Sequence, residues 1–157
     1  MTLRRRRTIR LKGYDYSQPG AYFITICTRN RKCLFGQVIN GEMRSNALGD
    51  IVAEEWLRSQ ELRCEIQLDA FVIMPNHVHG IVIIADAKVP GIVGATGPGT
   101  KPGICDRSPL HIGSKQAHGP AKRSLGSFIA GFKSVVTKRI NRFRKMPGIP
   151  VWQRNYY

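Results

Sequence analysis

Three observations predict an α+β fold for this chain. Strand-like and helix-like stretches follow one another as strand, small hairpin, helix, strand, strand, helix, strand. Two of the strands are joined by a Pro-Asn turn, and both helices carry a single apolar face. With the hairpin taken as an insertion, the order is β-α-β-β-α-β, a ferredoxin-like sandwich that also contains a long Gly/Pro-rich loop. The helices of such a sandwich cover one face of the sheet and leave the other free for a ligand.

The elements are justified in chain order. Residues 1–13 are basic and without apolar periodicity, so they are expected to form a flexible arm. The rest, 14–157, is long enough for one domain with its own core. Residues 20–28 are rich in aromatic and β-branched side chains and predict the first strand. Asn40-Gly41, flanked by 33–39 and 42–44, is a strong hairpin signal. Within 48–62, Leu48, Ile51, Val52, Trp56 and Leu57 recur at helical spacing, and Asn46 can cap that helix. Residues 66–74 and 78–85 read as two strands around Pro75-Asn76, a tight turn in which proline fixes the backbone. From 87 to 121 glycine and proline are dense and periodicity vanishes, predicting a flexible loop inside the domain. Residues 124–145 return to helical spacing through Leu125, Phe128, Ile129, Phe132, Val135, Val136, Ile140 and Phe143. Lys133, Lys138, Arg139, Arg142 and Arg144 fall largely opposite, and Pro147-Gly148 ends the helix. Residues 149–153 suggest a last short strand.

Charge narrows the partner. The 157 residues hold 25 Lys and Arg against 10 Asp and Glu, a net charge of +15. The last carboxylate is Asp106, so everything after it is cationic or neutral, as is the N-terminal arm with Arg4, Arg5, Arg6 and Arg7. A polyanion fits, and nucleic acid before a membrane surface, because the basic arm has no apolar stripe beside it. No apolar run approaches the roughly 18 residues that span a bilayer, and the N-terminus lacks the apolar core of a secretory signal. A cytoplasmic location is expected. The four cysteines, Cys27, Cys33, Cys64 and Cys105, contain no C-x-x-C pair and read as free thiols. Sequence patterns for phosphate-binding loops, serine hydrolases and zinc metalloproteases are absent.

The most specific chemistry lies in Met74-Pro75-Asn76-His77-Val78-His79-Gly80. On a strand, alternate side chains share a face, so His77 and His79 point the same way and Val78 the other. Two imidazoles side by side can hold a divalent metal, and in so basic a chain that metal would act on a phosphate. A third ligand must come from elsewhere, and Asp69, His111 and His118 are the candidates. A third histidine at position 81 would mark a histidine-triad nucleotide hydrolase, but Ile81 stands there. The cationic helix face lacks the acidic partners of a neutral surface helix and predicts phosphate-backbone contact. The run Val151-Trp152-Gln153-Arg154-Asn155-Tyr156-Tyr157 leaves two readings open. Its aromatics either stack on unpaired bases or pack Trp152 into the core.

These residues together resemble a known family. Phe71-Val72-Ile73-Met74-Pro75-Asn76-His77-Val78-His79-Gly80-Ile81-Val82, then Gly131-Phe132-Lys133-Ser134 with Thr137-Lys138-Arg139-Ile140-Asn141, then the 151–157 block, resemble the REP-associated tyrosine transposases. These are insertion-sequence-200-like, single-tyrosine HUH enzymes. The resemblance implies that His77 and His79 bind Mg²⁺ or Mn²⁺. It also implies that a tyrosine hydroxyl attacks single-stranded or hairpin DNA and is released when a 3′-hydroxyl attacks in reverse. A homodimer is one arrangement that such relatives adopt. In the family the nucleophilic tyrosine lies on a helix after the Trp-Gln-Arg-Asn-Tyr-Tyr block, with a metal-completing residue one turn later. This chain stops at Tyr157, so Tyr156 and Tyr157 match the block and not the nucleophile. The expectation is a polypeptide with the metal histidines and the DNA surface (Arg4–Arg7, Lys133, Lys138, Arg139, Arg142, Arg154) but without nucleophile and third ligand.

Overall fold

The computed structural model describes residues 11, 13–85 and 123–154. The expected arm with Arg4, Arg5, Arg6 and Arg7, the 87–121 loop, His111, His118, Tyr156 and Tyr157 lie outside the described residues.

The first strand, β1 (Gly20–Cys27), alternates: Ile24 and Ile26 are buried while Phe23 is exposed. A small hairpin follows, β2 (Gly36–Ile39) and β3 (Glu42–Ser45). Asn40 (φ 52°) and Gly41 (φ 83°) are both left-handed at its tip, the conformation that Asn-Gly tolerates and a two-residue hairpin loop needs. Helix α1 (Ala47–Glu61) begins where Asn46 Oδ1 accepts from the N–H groups of Leu48 (2.9 Å) and Gly49 (3.1 Å), satisfying two otherwise orphaned donors. Strands β4 (Ile66–Met74) and β5 (His77–Ile84) meet across Pro75-Asn76, with Met74 opposite His77. Helix α2 (Leu125–Phe143) starts on a Ser124 cap and ends before Lys145, which turns left-handed ahead of Pro147.

Strands β1, β5 and β4 form one antiparallel sheet in that order, with β5 central. The expected strand at 149–153 is reduced to a single bridge, Thr28 to Trp152. Two hydrogen bonds flank it, Arg29 N–H to Val151 O at 2.7 Å and Gln153 N–H to Cys27 O at 2.8 Å. Pro150 has no N–H to extend the ladder. The segment still lies beside β1, so the spatial order is that of a ferredoxin-like sheet with its fourth strand cut short.

Burial alternates strictly along β5. Val78, Gly80, Val82 and Ile84 are buried, and His77, His79, Ile81 and Ile83 are half-buried on the other face. The buried face rests on Trp56 of α1, which packs against Phe128 (5.8 Å between ring centroids) and Phe132 (5.3 Å) of α2. Removing each such large side chain from water is worth about 1.5–3 kcal/mol. The apolar stripes predict most of this core, with three differences. Leu57, Val135 and Phe143 are exposed, because they sit at the margins or the end of their stripes. Glu55, unforeseen as a core residue, is buried at 4% exposure beneath Arg139.

Candidate functional site

The Pro75-Asn76 turn delivers the chain into β5 so that His77 and His79 stand on the face that the helices leave open. Their ring centroids are 4.5 Å apart at 79°. Asn76 Nδ2 donates to Arg31 O at 3.3 Å, which turns its Oδ1 toward His77 Nδ1 at 2.6 Å. An amide oxygen only accepts, so His77 Nδ1 carries the hydrogen and Nε2 keeps its lone pair. Across the sheet, Thr25 is the β1 residue opposite His79, and its Oγ1 lies 2.8 Å from His79 Nδ1. Phe23 stacks on the His79 ring at 5.3 Å and 21°. His77 is thus held through Nδ1 with Nε2 open to a ligand, and His79 presents Nε2 in the same way in the tautomer whose Nδ1–H donates to Thr25 Oγ1.

Electrostatics suit the same role. Burial first, then the neighbouring His79 and the Arg31 guanidinium, hold the His77 imidazole below its ordinary protonation range. A neutral imidazole is the metal-binding form, and a hydrogen bond that fixes its second nitrogen raises ligand quality. Two imidazole nitrogens on one face are chemically suited to share a divalent cation, as two of the ligands it would need. Among the described residues no group of three His, Cys, Asp and Glu side chains forms a metal site. Asp69 lies in the irregular stretch between Leu68 and Phe71 of β4.

The cations of α2 divide by position. Lys138 and Arg142 are exposed and, with Lys133, Lys145, Pro147 and Gly148, line a groove of about 820 Å³. Lys133 Nζ donates to Gln153 O at 2.9 Å, at the edge segment bridged to β1. Arg139 instead reaches α1, bonding Glu55 Oε1 and Glu54 Oε2 at 2.6 Å each. Trp152 is packed into the core against Phe35 (5.2 Å) and Phe132 (5.9 Å), which settles which of its two readings applies, while Arg154 is exposed. Sequence reasoning missed Thr25, Asn76 and Arg31. The signals were the Asn immediately before the histidine pair and the Thr-Arg-Asn-Arg-Lys run that closes the first strand.

Comparison with known proteins agrees with this fold. A REP-associated tyrosine transposase solved bound to a REP hairpin superposes with a TM-score of 0.53 at 14% identity, over 96% of this chain and 60% of that one. At that identity the likeness is one of fold: the sheet and helices here are arranged as in that transposase. This chain spans 60% of the length of that protein. No protein-family model matches the chain. An uncharacterised protein of Haemophilus influenzae is 40% identical over 156 residues, covering 97% of this chain and 76% of that protein. The chain belongs to the same family as that Haemophilus protein. Among the described residues no helix is long and apolar enough to cross a membrane.

Proposed function

We propose that this chain is a DNA-binding transposase domain of the single-tyrosine HUH kind, acting on single-stranded or hairpin DNA. The observation that carries the reading is the pair of Nδ1-anchored histidines on the open sheet face, on a transposase-like fold. His77 and His79 would hold Mg²⁺ or Mn²⁺ through Nε2. The ion, when bound, supplies positive charge that polarises a scissile phosphate. Thr25 and Asn76 fix the two rings, and Phe23 limits the swing of His79. The exposed groove cations Lys138 and Arg142, with Arg154 nearby in sequence to the edge segment, attract the phosphate backbone. Arg139 gives its charge to Glu54 and Glu55 and ties α2 to α1.

Cleavage in this scheme is a transesterification. A tyrosine hydroxyl oxygen forms a bond to phosphorus as the bond to the 3′ oxygen breaks. The phenolic proton goes to solvent, the departing oxygen takes one, and a 5′-phosphotyrosine remains. Attack by a free 3′-hydroxyl reverses it, so joining needs no external energy source. Tyr156 and Tyr157 are the tyrosines of the terminal block that such an adduct would test.

The experiment is incubation with labelled hairpin-bearing single-stranded DNA and Mg²⁺ or Mn²⁺, followed by a denaturing gel. A protein–DNA adduct mapped to Tyr156 or Tyr157 supports cutting by this polypeptide. Cut strands without an adduct indicate a water-using nuclease. Binding without cutting favours a catalytically incomplete DNA-binding remnant of the family. His77→Ala with His79→Ala should abolish metal-dependent cutting and largely keep DNA affinity; equal cutting by that variant overturns the metal assignment.

A further inference from the structure

The turn that follows β1 is built at a conformational cost. Asn30 (φ 56°, ψ 22°) and Arg31 (φ 54°) are consecutive left-handed residues, and neither is glycine. Asn tolerates that region, but a long side chain such as Arg is disfavoured there by contact between Cβ and the backbone. The surroundings impose it. Thr28 is wholly buried, and its single Oγ1–H lies between two carbonyl acceptors, Lys32 O (2.8 Å) and Asn76 O (3.0 Å). Its N–H also reaches Asn76 O at 2.9 Å, and Arg31 N–H closes the turn on Thr28 O at 3.1 Å. Asn76 then holds the Arg31 carbonyl with one end of its amide and the His77 ring with the other. Arg31 is exposed and has no carboxylate partner among the described residues.

Strain that the structure over-determines tends to be kept for a functional reason. An exposed guanidinium carried on a turn that Asn76 ties to the His77 ring is a fork for phosphate oxygens. We infer that Arg31, held by the Thr28–Asn76 hydrogen bonds next to His77, grips a backbone phosphate of single-stranded DNA and so positions it over the histidine pair. The inference rests on the proposed single-strand DNA reading and adds a phosphate-positioning residue to it. The strain gives Arg31 a signature that a merely structural residue would lack. Glycine at position 31 relaxes the turn while removing the cation.

The test uses the full chain in EDTA and a fluorescently labelled hairpin-bearing single-stranded DNA, with anisotropy over a salt series and thermal unfolding. Arg31→Gly should bind about five- to tenfold more weakly at low salt, with a melting temperature no lower than the wild type. The slope of log affinity against log salt should fall by about 0.7, the loss of one single-strand phosphate contact. Arg31→Lys should recover part of the affinity, and Asn30→Gly should leave binding unchanged. Unaltered affinity and slope in Arg31→Gly overturn the inference, as does an affinity loss that comes only with a lowered melting temperature. A wild-type chain that does not bind the probe overturns the single-strand reading, and this inference with it.

Discussion

Substituting Gly80 by alanine tests how closely the histidine strand sits on the core. A Cβ at Gly80 would point into Trp56, contacting Cζ2 and lying 2.7 Å from Cη2, where ordinary contact begins near 3.4 Å. Trp56 cannot give way easily. It is wholly buried and enclosed by Phe71 (5.8 Å), Phe128 (5.8 Å) and Phe132 (5.3 Å). Overpacking of this kind costs about 1–3 kcal/mol. For a domain of this size 1 kcal/mol moves the melting temperature by roughly 2–4 °C, so Gly80→Ala should melt about 2–12 °C lower. Circular-dichroism melting and urea titration would read it. A double cycle with Trp56→Phe isolates the contact: Gly80→Ala should cost less on the smaller ring, with a coupling of about 1 kcal/mol or more. A Gly80→Ala protein as stable as the wild type, or a cycle without coupling, would refute the close seating of β5 on Trp56.

Three further outcomes follow from the contacts described. Arg139→Ala removes the hydrogen-bonded partner of buried Glu55, leaving it Arg58 at 3.9 Å, and should lower stability by about 1–2 kcal/mol in urea titration. The figure is below that of a fully buried pair because Arg139 remains 35% exposed. Lys138→Ala with Arg142→Ala should leave stability within about 0.5 kcal/mol, as exposed substitutions do, while flattening the salt dependence of DNA binding. For pH, the metal-free native state disfavours protonation of His77, whereas the unfolded chain takes up that proton near the ordinary value of 6.5. The unfolded state therefore binds more protons below that value. The contribution is fully present above pH 6.5 and is lost as pH falls from there through the lowered native value. Melting temperature should drop across that window in the wild type and drop less in His77→Asn.

What the sequence made legible is what local chemistry decides. Asn40-Gly41 specified a hairpin tip because few other pairs accept two left-handed residues. Asn46 marked a helix start through its own amide. The period of two put His77 and His79 on one face without knowledge of any neighbour. Partners brought from a distance were not legible. Thr25 meets His79 only after β1 pairs with β5, 54 residues apart. Glu55 reads as a polar helix residue until α2 lays Arg139 over it. Trp152 could have faced solvent or core, and only the packing of Phe35 and Phe132 around it decides. The short fourth strand illustrates the same limit, since an apolar run beside a proline forms as much ladder as its neighbour and its own missing N–H allow.

The central position of β5 has a consequence in time. Its ladder is hydrogen-bonded on both sides, to β1 and to β4, and its inner face is sealed by Trp56. Freeing the edge segment at 151–153 breaks the two hydrogen bonds beside its bridge and the Lys133–Gln153 bond and lifts Val151 and Trp152 out of the core, whereas exposing the backbone of His77 to Ile84 requires opening the sheet on both sides of β5. Amide exchange should therefore be faster at Arg29 and Gln153 than along β5, where it should proceed at rates set by global unfolding. The two histidines are carried on the strand that is held from both sides and from beneath, so their spacing is tied to the core of the sheet and not to its edge.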